Sequence, residues 1–283
     1  MIRFLETLDR RWIFLAMFLA VLLPILFQKT FPEKATPIVQ NVFDKIESLP
    51  PGSRVLLSFD YDPASAGELD PMATAIVRHC CLKKLKIYFI ALWPLGPRMI
   101  DDTIARVITK EFPRTKYGVD YVNLGYKSGA EGVIQVIVTD LKKFYTSDHA
   151  GTSLNKLPMT RDLKNIQQMD LIFSISAGSG GIKEWVQYAA TPYNIPTAGG
   201  CTGVQAPLLY PYYPNQLLGL LGAIKGAAEY EAALAKKYPR FAAPRFNEGV
   251  RRMAPQLVAH LLMVGLIILG NGIYFAQRWR SRQ

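Results

Sequence analysis

The chain has 283 residues, 50% of them hydrophobic and 19% charged, with a formal net charge of +11. It is too apolar and too rich in aromatic residues for a disordered chain. Three cysteines exclude a disulfide-stapled miniprotein and a four-cysteine zinc site, and the adjacent pair Cys80 and Cys81 is poorly placed to bridge itself.

Residues 1–11 read as an N-terminal tail. They are followed by an uncharged run over residues 12–28, WIFLAMFLAVLLPILFQ, at the short end of what spans a bilayer core of about 30 Å. Arg3, Arg10 and Arg11 ahead of it match the charged start of a secretory signal, but the following QKTFPEK has no small-residue cleavage site, so the run predicts an uncleaved anchor. Residues 29–49 read as a linker and juxtamembrane helix. Residues 50–240 carry the main domain, 241–252 a second juxtamembrane linker, and 253–277 a second apolar run without Asp, Glu, Lys or Arg. Residues 278–283 form a basic tail with Arg278, Arg280 and Arg282. Trp12, Tyr274 and Trp279 stand where interfacial aromatics belong.

Two spans place both termini on one side. The outer flanks (Arg3, Arg10, Arg11, Arg278, Arg280, Arg282) and the inner flanks (Lys29, Lys34, Arg240, Arg245, Arg251, Arg252) carry six basic residues each, so the positive-inside count is tied. The first span usually dominates, and long domains translocate largely regardless of charge. The expectation is cytoplasmic termini and an extracytoplasmic domain.

Along the domain, short apolar runs alternate with helical periodicity. Strands are predicted at Arg54–Phe59, Lys86–Trp93, Asp120–Tyr126, Asp170–Ser176 and, weakly, Ile195–Gly200. Helices are predicted at Glu68–Leu82, Met99–Phe112, Glu131–Tyr145, Ile182–Ala190 and Asn215–Tyr238. Residues 146–169 form a polar insertion, and three prolines exclude regular structure from residues 203–214. The alternation predicts an α/β chain: one parallel-sheet, Rossmann-like (flavodoxin-like) three-layer domain between one N-terminal and one C-terminal transmembrane helix. Ligands of such sheets collect at the carboxyl ends of the strands. Here those ends read DYDPAS, WPLGP, GYKSGAEG, SAGSGGIKEW and GGCTGVQAP.

Several residues at these ends carry chemistry. Asp60 and Asp62 form a D-x-D after the first strand, as in haloacid-dehalogenase-type phosphatases. No acid follows the fourth strand, however, and an aspartate-capped turn is the plainer reading. The turn Gly178, Ser179, Gly180, Gly181 reads as a tight turn, an anion cradle, or a near match to the nucleophile elbow with Ser179 as nucleophile. Cys201 lies in G-x-C-x-G, as a nucleophile or a small buried residue, and His79 or His149 would have to act as base. His79 beside Cys80 and Cys81 lacks a second ligand cluster, so no metal and no cofactor are implied. Gly219, Gly222 and Gly226 allow close helix approach, to the sheet or to another subunit. Tyr210, Tyr212 and Tyr213 favour an interface. In the second span His260 and Gly265 point to helix packing, or His260 snorkels to the nearby interface. Nine basic residues between Arg78 and Lys116 face three acids, as a solvated face or as a contact for acidic lipid or protein. No nucleic-acid module is present.

The segments FDYDPAS, LWPLGP, YVNLGYKSG, SAGSGGIKEWVQ and APLLYPYYPNQLLGLLGAIKGAAEYE resemble a family of uncharacterised prokaryotic two-span membrane proteins, over most of residues 50–235. The resemblance implies the fold, the topology and a prokaryotic inner (cytoplasmic) membrane. It brings no activity, ligand or catalytic residue. The expected role is a non-enzymatic, bilayer-anchored subunit of an oligomeric membrane complex, assembled with copies of itself or with other subunits. The alternatives are a membrane-anchored hydrolase or transferase with a Ser or Cys nucleophile, and an anion-ligand sensor or binding module.

Overall fold

The structure is a computed structural model, and it describes residues 9–28 and 30–280. Arg3, Lys29 and Arg282 of the flank count lie outside these residues. Contacts divide the chain into two units: Glu33–Gly249, and the flanking segments before and after it.

The flanking unit holds α1 (Arg10–Leu26) and α9 (Glu248–Arg280). The stretch Glu248–Trp279 of α9 is long and apolar enough to cross a membrane. Along it Leu261, Ile268 and Phe275 are all more than 60% exposed. In α1, 17 residues long, no residue is buried. At about 1.5 Å per residue it reaches about 26 Å, short of a typical bilayer core.

The Glu33–Gly249 unit is a doubly wound α/β domain. Its strands are β1 (Arg54–Asp60), β2 (Lys86–Ala91), β3 (Tyr121–Tyr126), β4 (Leu171–Ser176), β5 (Thr197–Cys201) and β6 (Leu220–Gly222). They form one sheet, all parallel, in the order β3-β2-β1-β4-β5-β6. That is the Rossmann order; the flavodoxin-like order, 2-1-3-4-5, does not form. The reason is the long connection after β3, which carries the chain back across the sheet so that β4 pairs with the free side of β1.

Helices α3 (Ala66–Leu82), α4 (Gly96–Thr103) and α8 (Ala223–Lys237) cover one face; α5 (Glu131–Ile137) and α6 (Ile182–Trp185) cover the other. The strands are buried almost throughout, which is why they read as continuous apolar runs. The helix α2 (Pro37–Ser48) buries Val39, Val42, Phe43 and Ile46 against α8 and β6. It therefore belongs to the domain, although the sequence places it in a linker. Phe241, in the second expected linker, is also buried.

Other boundaries shift for local reasons. The predicted helix Asn215–Tyr238 begins only at Ala223, because Leu220–Gly222 pair with β5 as a sixth strand. The backbone at Gly219 passes so close to the Ile38 carbonyl that a β-carbon would collide with it. The predicted helix Met99–Phe112 turns π-helical at Ile104–Thr109, and Ile182–Ala190 does so at Val186–Ala190. The predicted helix Glu131–Tyr145 stops at Ile137; a turn capped by Asp140 follows. Residues 203–214 contain α7 (Ala206–Leu209) and a 3-10 turn (Tyr210–Tyr212). Pro207 and Pro211 fall in the first turns, where no backbone N–H is needed, so they do not exclude helix as expected. The polar insertion 146–169 is part of the core: Leu154, Met159, Leu163, Ile166 and Met169 pack with Tyr145 and Trp185.

At Gly226 a β-carbon would sit 2.6 Å from the Leu221 carbonyl carbon, whereas at Gly265 in α9 it would meet nothing within 4 Å. Gly226→Leu should destabilise the domain by about 1–3 kcal/mol. Gly265→Leu should leave its melting temperature unchanged. Thermal melts of the two variants side by side check this, and equal behaviour would contradict the packing described.

Candidate functional site

The order of strands places the topological switch point between β1 and β4, where ligands of doubly wound sheets bind. The residue ending β1 is Asp60, whose side chain is fully buried. One carboxyl oxygen accepts from Ser58 Oγ (2.6 Å) and, at 3.4 Å, from Ser174 Oγ. The other accepts from the Leu92 amide (2.7 Å). The Trp185 indole N–H lies near this carboxyl and favours its charged form, but it does not reach hydrogen-bond geometry. Burial outweighs these donors and pushes the Asp60 carboxyl up to about 7. Trp185 Nε1 and the Tyr145 hydroxyl are buried without a partner among the described residues. The Lys127 ammonium stands 5.6 Å from the centre of the Tyr145 ring.

Ser58, Ser174, Tyr145 and Trp185 were not singled out from sequence. A signal was available for two of them: Ser58 and Ser174 interrupt otherwise apolar strands and are direct partners in the β1–β4 register. Tyr145 and Trp185 reach the site only through the tertiary fold.

Asp62 points elsewhere. It is half-buried and its Oδ1 accepts from the Ser65 amide (3.2 Å), a local turn. The D-x-D pair is therefore split between core and surface. No acid stands at the end of β4, where Ser176 and Ala177 sit.

The turn Gly178–Gly181 is closed from within. Trp93 donates from Nε1 to the Ser179 carbonyl (2.9 Å), and its ring covers Gly178. The Gly181 amide donates to Glu184 Oε2 (2.9 Å), and the Ile182 amide donates to Ser176 Oγ (3.3 Å). The two amides best placed to hold an anion thus already have acceptors, one of them a carboxylate. Gly180 takes φ of +75°, which glycine adopts freely. Ser179 itself is exposed.

Among the described residues no histidine is hydrogen-bonded to Ser179 or Cys201. The His79 ring is buried between Tyr230 OH (2.6 Å from Nδ1) and Glu47 Oε2 (2.9 Å from Nε2), and it stacks on Phe43. Burial pushes it down to about 4 against the pull of Glu47, so it is neutral near pH 7. It ties α2, α3 and α8 together. His149 lies at the end of β3, against Gly125 and 3.9 Å from Asp101. Cys201 is buried, and burial, then the Glu68 charge, push its thiol up to about 12. A thiol held there is protonated and a poor nucleophile. Among the described residues no three His, Cys, Asp or Glu come together as metal ligands.

The remaining sequence candidates divide between interior and surface. Gly219 and Gly226 pack within the domain, and Gly222 lies against Ala206 and the Tyr210 hydroxyl. Tyr213 OH accepts from Asn41 Nδ2 of α2 (3.0 Å), and Tyr212 packs, as Ile38 of α2 does, against the buried cluster of Ile182, Leu209 and Leu217. Tyr210 is half exposed, next to Val204 (81% exposed) and Leu208 (66%). His260 is exposed on α9.

The fold is thus that of a doubly wound, Rossmann-like α/β protein. Its first strand-to-helix turn, DYDPAS, carries no glycine fingerprint for a dinucleotide. No family model matches the sequence, and no curated protein matches it significantly. Among solved structures the chain is similar to levodione reductase at 12% identity and a TM-score of 0.27, over 76% of this chain and 92% of that one. No residue correspondence follows at that TM-score.

The buried carboxyl gives a pH signature. Between about pH 4 and 7 the folded Asp60 keeps a proton that the unfolded chain has released, so its contribution to stability falls as pH rises. His79 acts oppositely between about 4 and 6.5, where only the unfolded chain is protonated. Asp60→Asn cancels the first effect alone. Relative to wild type, the variant should gain stability steadily from pH 4.5 to 7.5, by at most about 4 kcal/mol. Thermal melts across that interval measure it, and a flat difference would mean that Asp60 is ionised throughout.

Proposed function

We propose that this chain is a non-enzymatic, membrane-anchored α/β subunit of an oligomeric membrane complex. In this reading α1 is a second, short span beside α9, the termini are cytoplasmic, and the domain lies outside the inner membrane of a prokaryote. The observation that carries the non-enzymatic part is the closing of the carboxyl edge. Trp93 covers the glycine turn, Glu184 and Glu68 occupy the amides of Gly181 and Gly203, and Ala177 N binds the Asp60 carbonyl (3.1 Å). Ser179 and Cys201, the two candidate nucleophiles, have no histidine hydrogen-bonded to them among the described residues.

The partner surface in this reading is the apolar run at the same edge, formed by Val204, Leu208 and Tyr210. Val204 and Leu208 leave most of their side-chain area in solvent, and clustered exposed apolar groups mark association sites. The chain solubilised gently from its own membranes should run as a defined particle well above its own 31.7 kDa plus detergent. Leu208→Glu should break that particle down without lowering the melting temperature. A monodisperse monomer, or a particle indifferent to Leu208→Glu, would count against the assembly reading.

The topology has its own test. Lys156 is exposed in the 146–169 segment. Lys156→Cys, in a Cys81→Ser background, should react with a membrane-impermeant maleimide in intact spheroplasts. Labelling only after lysis would reverse the orientation.

A further inference from the structure

The edge of the sheet opposite the strand ends carries a feature that the proposed function does not use. Where α3 ends and β2 and β3 begin, a cavity of about 450 Å³ opens. That lies within the range of small-molecule sites. Its apolar wall comes from Leu85, Phe112 and Pro113, and its charged groups are Lys84, Arg114, Glu111 and Asp120.

These four charges are not equivalent. Glu111 is held by Arg78 through two hydrogen bonds (2.7 and 2.9 Å), and Arg78 is itself buried against Phe241 and Phe246. Asp120 accepts from the Lys116 amide (2.7 Å). Lys84 and Arg114 reach no acidic partner among the described residues. The cavity therefore offers two uncommitted cations beside an apolar wall, with two committed carboxylates nearby.

Lys84 also occupies a costly position. It lies two residues past Leu82, just beyond the C-cap Lys83, with φ of +56°, the left-handed site where glycine commonly ends a helix. Capping alone favours glycine there, so a lysine calls for another reason. Phe112 is fixed on a second side by the Arg240 guanidinium, 5.5 Å from its ring centre. The positive run seen between Arg78 and Lys116 resolves accordingly: Arg78 and Arg106 are spent on Glu111 and Asp70, and Lys83 faces Glu47. Of the six that remain, Lys84, Lys86, Arg114 and Lys116 lie at this edge.

We propose that the amino-edge cavity binds a small amphipathic monocarboxylate, its carboxylate held by Lys84 and Arg114 and its hydrocarbon body laid on Leu85, Phe112 and Pro113. A single negative charge suits the site, because a dianion would also meet the charges of Glu111 and Asp120. This inference is independent of the membrane-complex reading.

The test is titration calorimetry of the full-length chain in lipid nanodiscs, with 4-phenylbutyrate as probe and empty nanodiscs as reference. Saturable binding is expected with a dissociation constant of about 1 mM or tighter, on the ordinary efficiency of a ligand of that size. The double variant Lys84→Gly, Arg114→Ala should weaken it at least tenfold while keeping its melting temperature, since glycine suits the left-handed position. The neutral analogue 4-phenylbutan-1-ol should bind at least tenfold more weakly than the acid. No saturable binding, equal binding of the alcohol, or an unaffected double variant would each overturn the proposal.

Discussion

The Asp60 carboxyl joins three strands at the centre of the sheet. It takes donors from β1 (Ser58), from the end of β2 (Leu92) and from β4 (Ser174). β1 is the strand from which the sheet grows in both directions, so this group sits on the seam between its two halves. A buried ionised carboxylate is tolerated only where such donors surround it, and here they hold it near the balance point between charged and neutral forms. The same carboxyl ends β1 at the topological switch point of the sheet.

The outer layer is tied down by a second polar group. His79 bridges Tyr230 of α8 and Glu47 of α2, while Glu47 also accepts from Tyr238. The Glu229 carboxylate accepts from both the amide and the hydroxyl of Thr36, just before α2. Neutral histidine serves here as a hydrogen-bonding spacer, because burial makes its charged form costly. At the other end of the domain Arg78, stacked on Phe241 and Phe246, holds the segment that leads to α9. Both chain ends of the domain are consequently fixed to its helical layer by buried or half-buried polar contacts. Buried pairs of this kind are costly to break singly, since the remaining partner is left uncompensated.

The two edges of the sheet differ in kind. At the carboxyl edge the loops satisfy their own amides and present apolar side chains outward. At the amino edge a cavity keeps two cations, Lys84 and Arg114, without acidic partners among the described residues. The first arrangement suits contact with another protein surface, and the second suits a small anionic ligand. A domain with both would receive a ligand on one side and a partner on the other.

Period and composition alone determined the alternation of strands and helices, the parallel sheet, and the apolar character of residues 253–277, because these follow from which residues must leave water. The register signal of Ser58 and Ser174 was also present in the sequence. Local sequence could not decide the strand order or the sixth strand. Leu220–Gly222 pair with β5 through contacts distant in the chain, and their glycines read as helix packing until α2 is in place. It could not show that Asp60 and Asp62 part company, since that depends on β1 ending at Asp60 and the chain turning at Asp62. Nor could it show that Trp93 and Glu184 close the glycine turn. Tertiary structure decided these points, because hydrogen-bond satisfaction and desolvation depend on neighbours brought together from several elements.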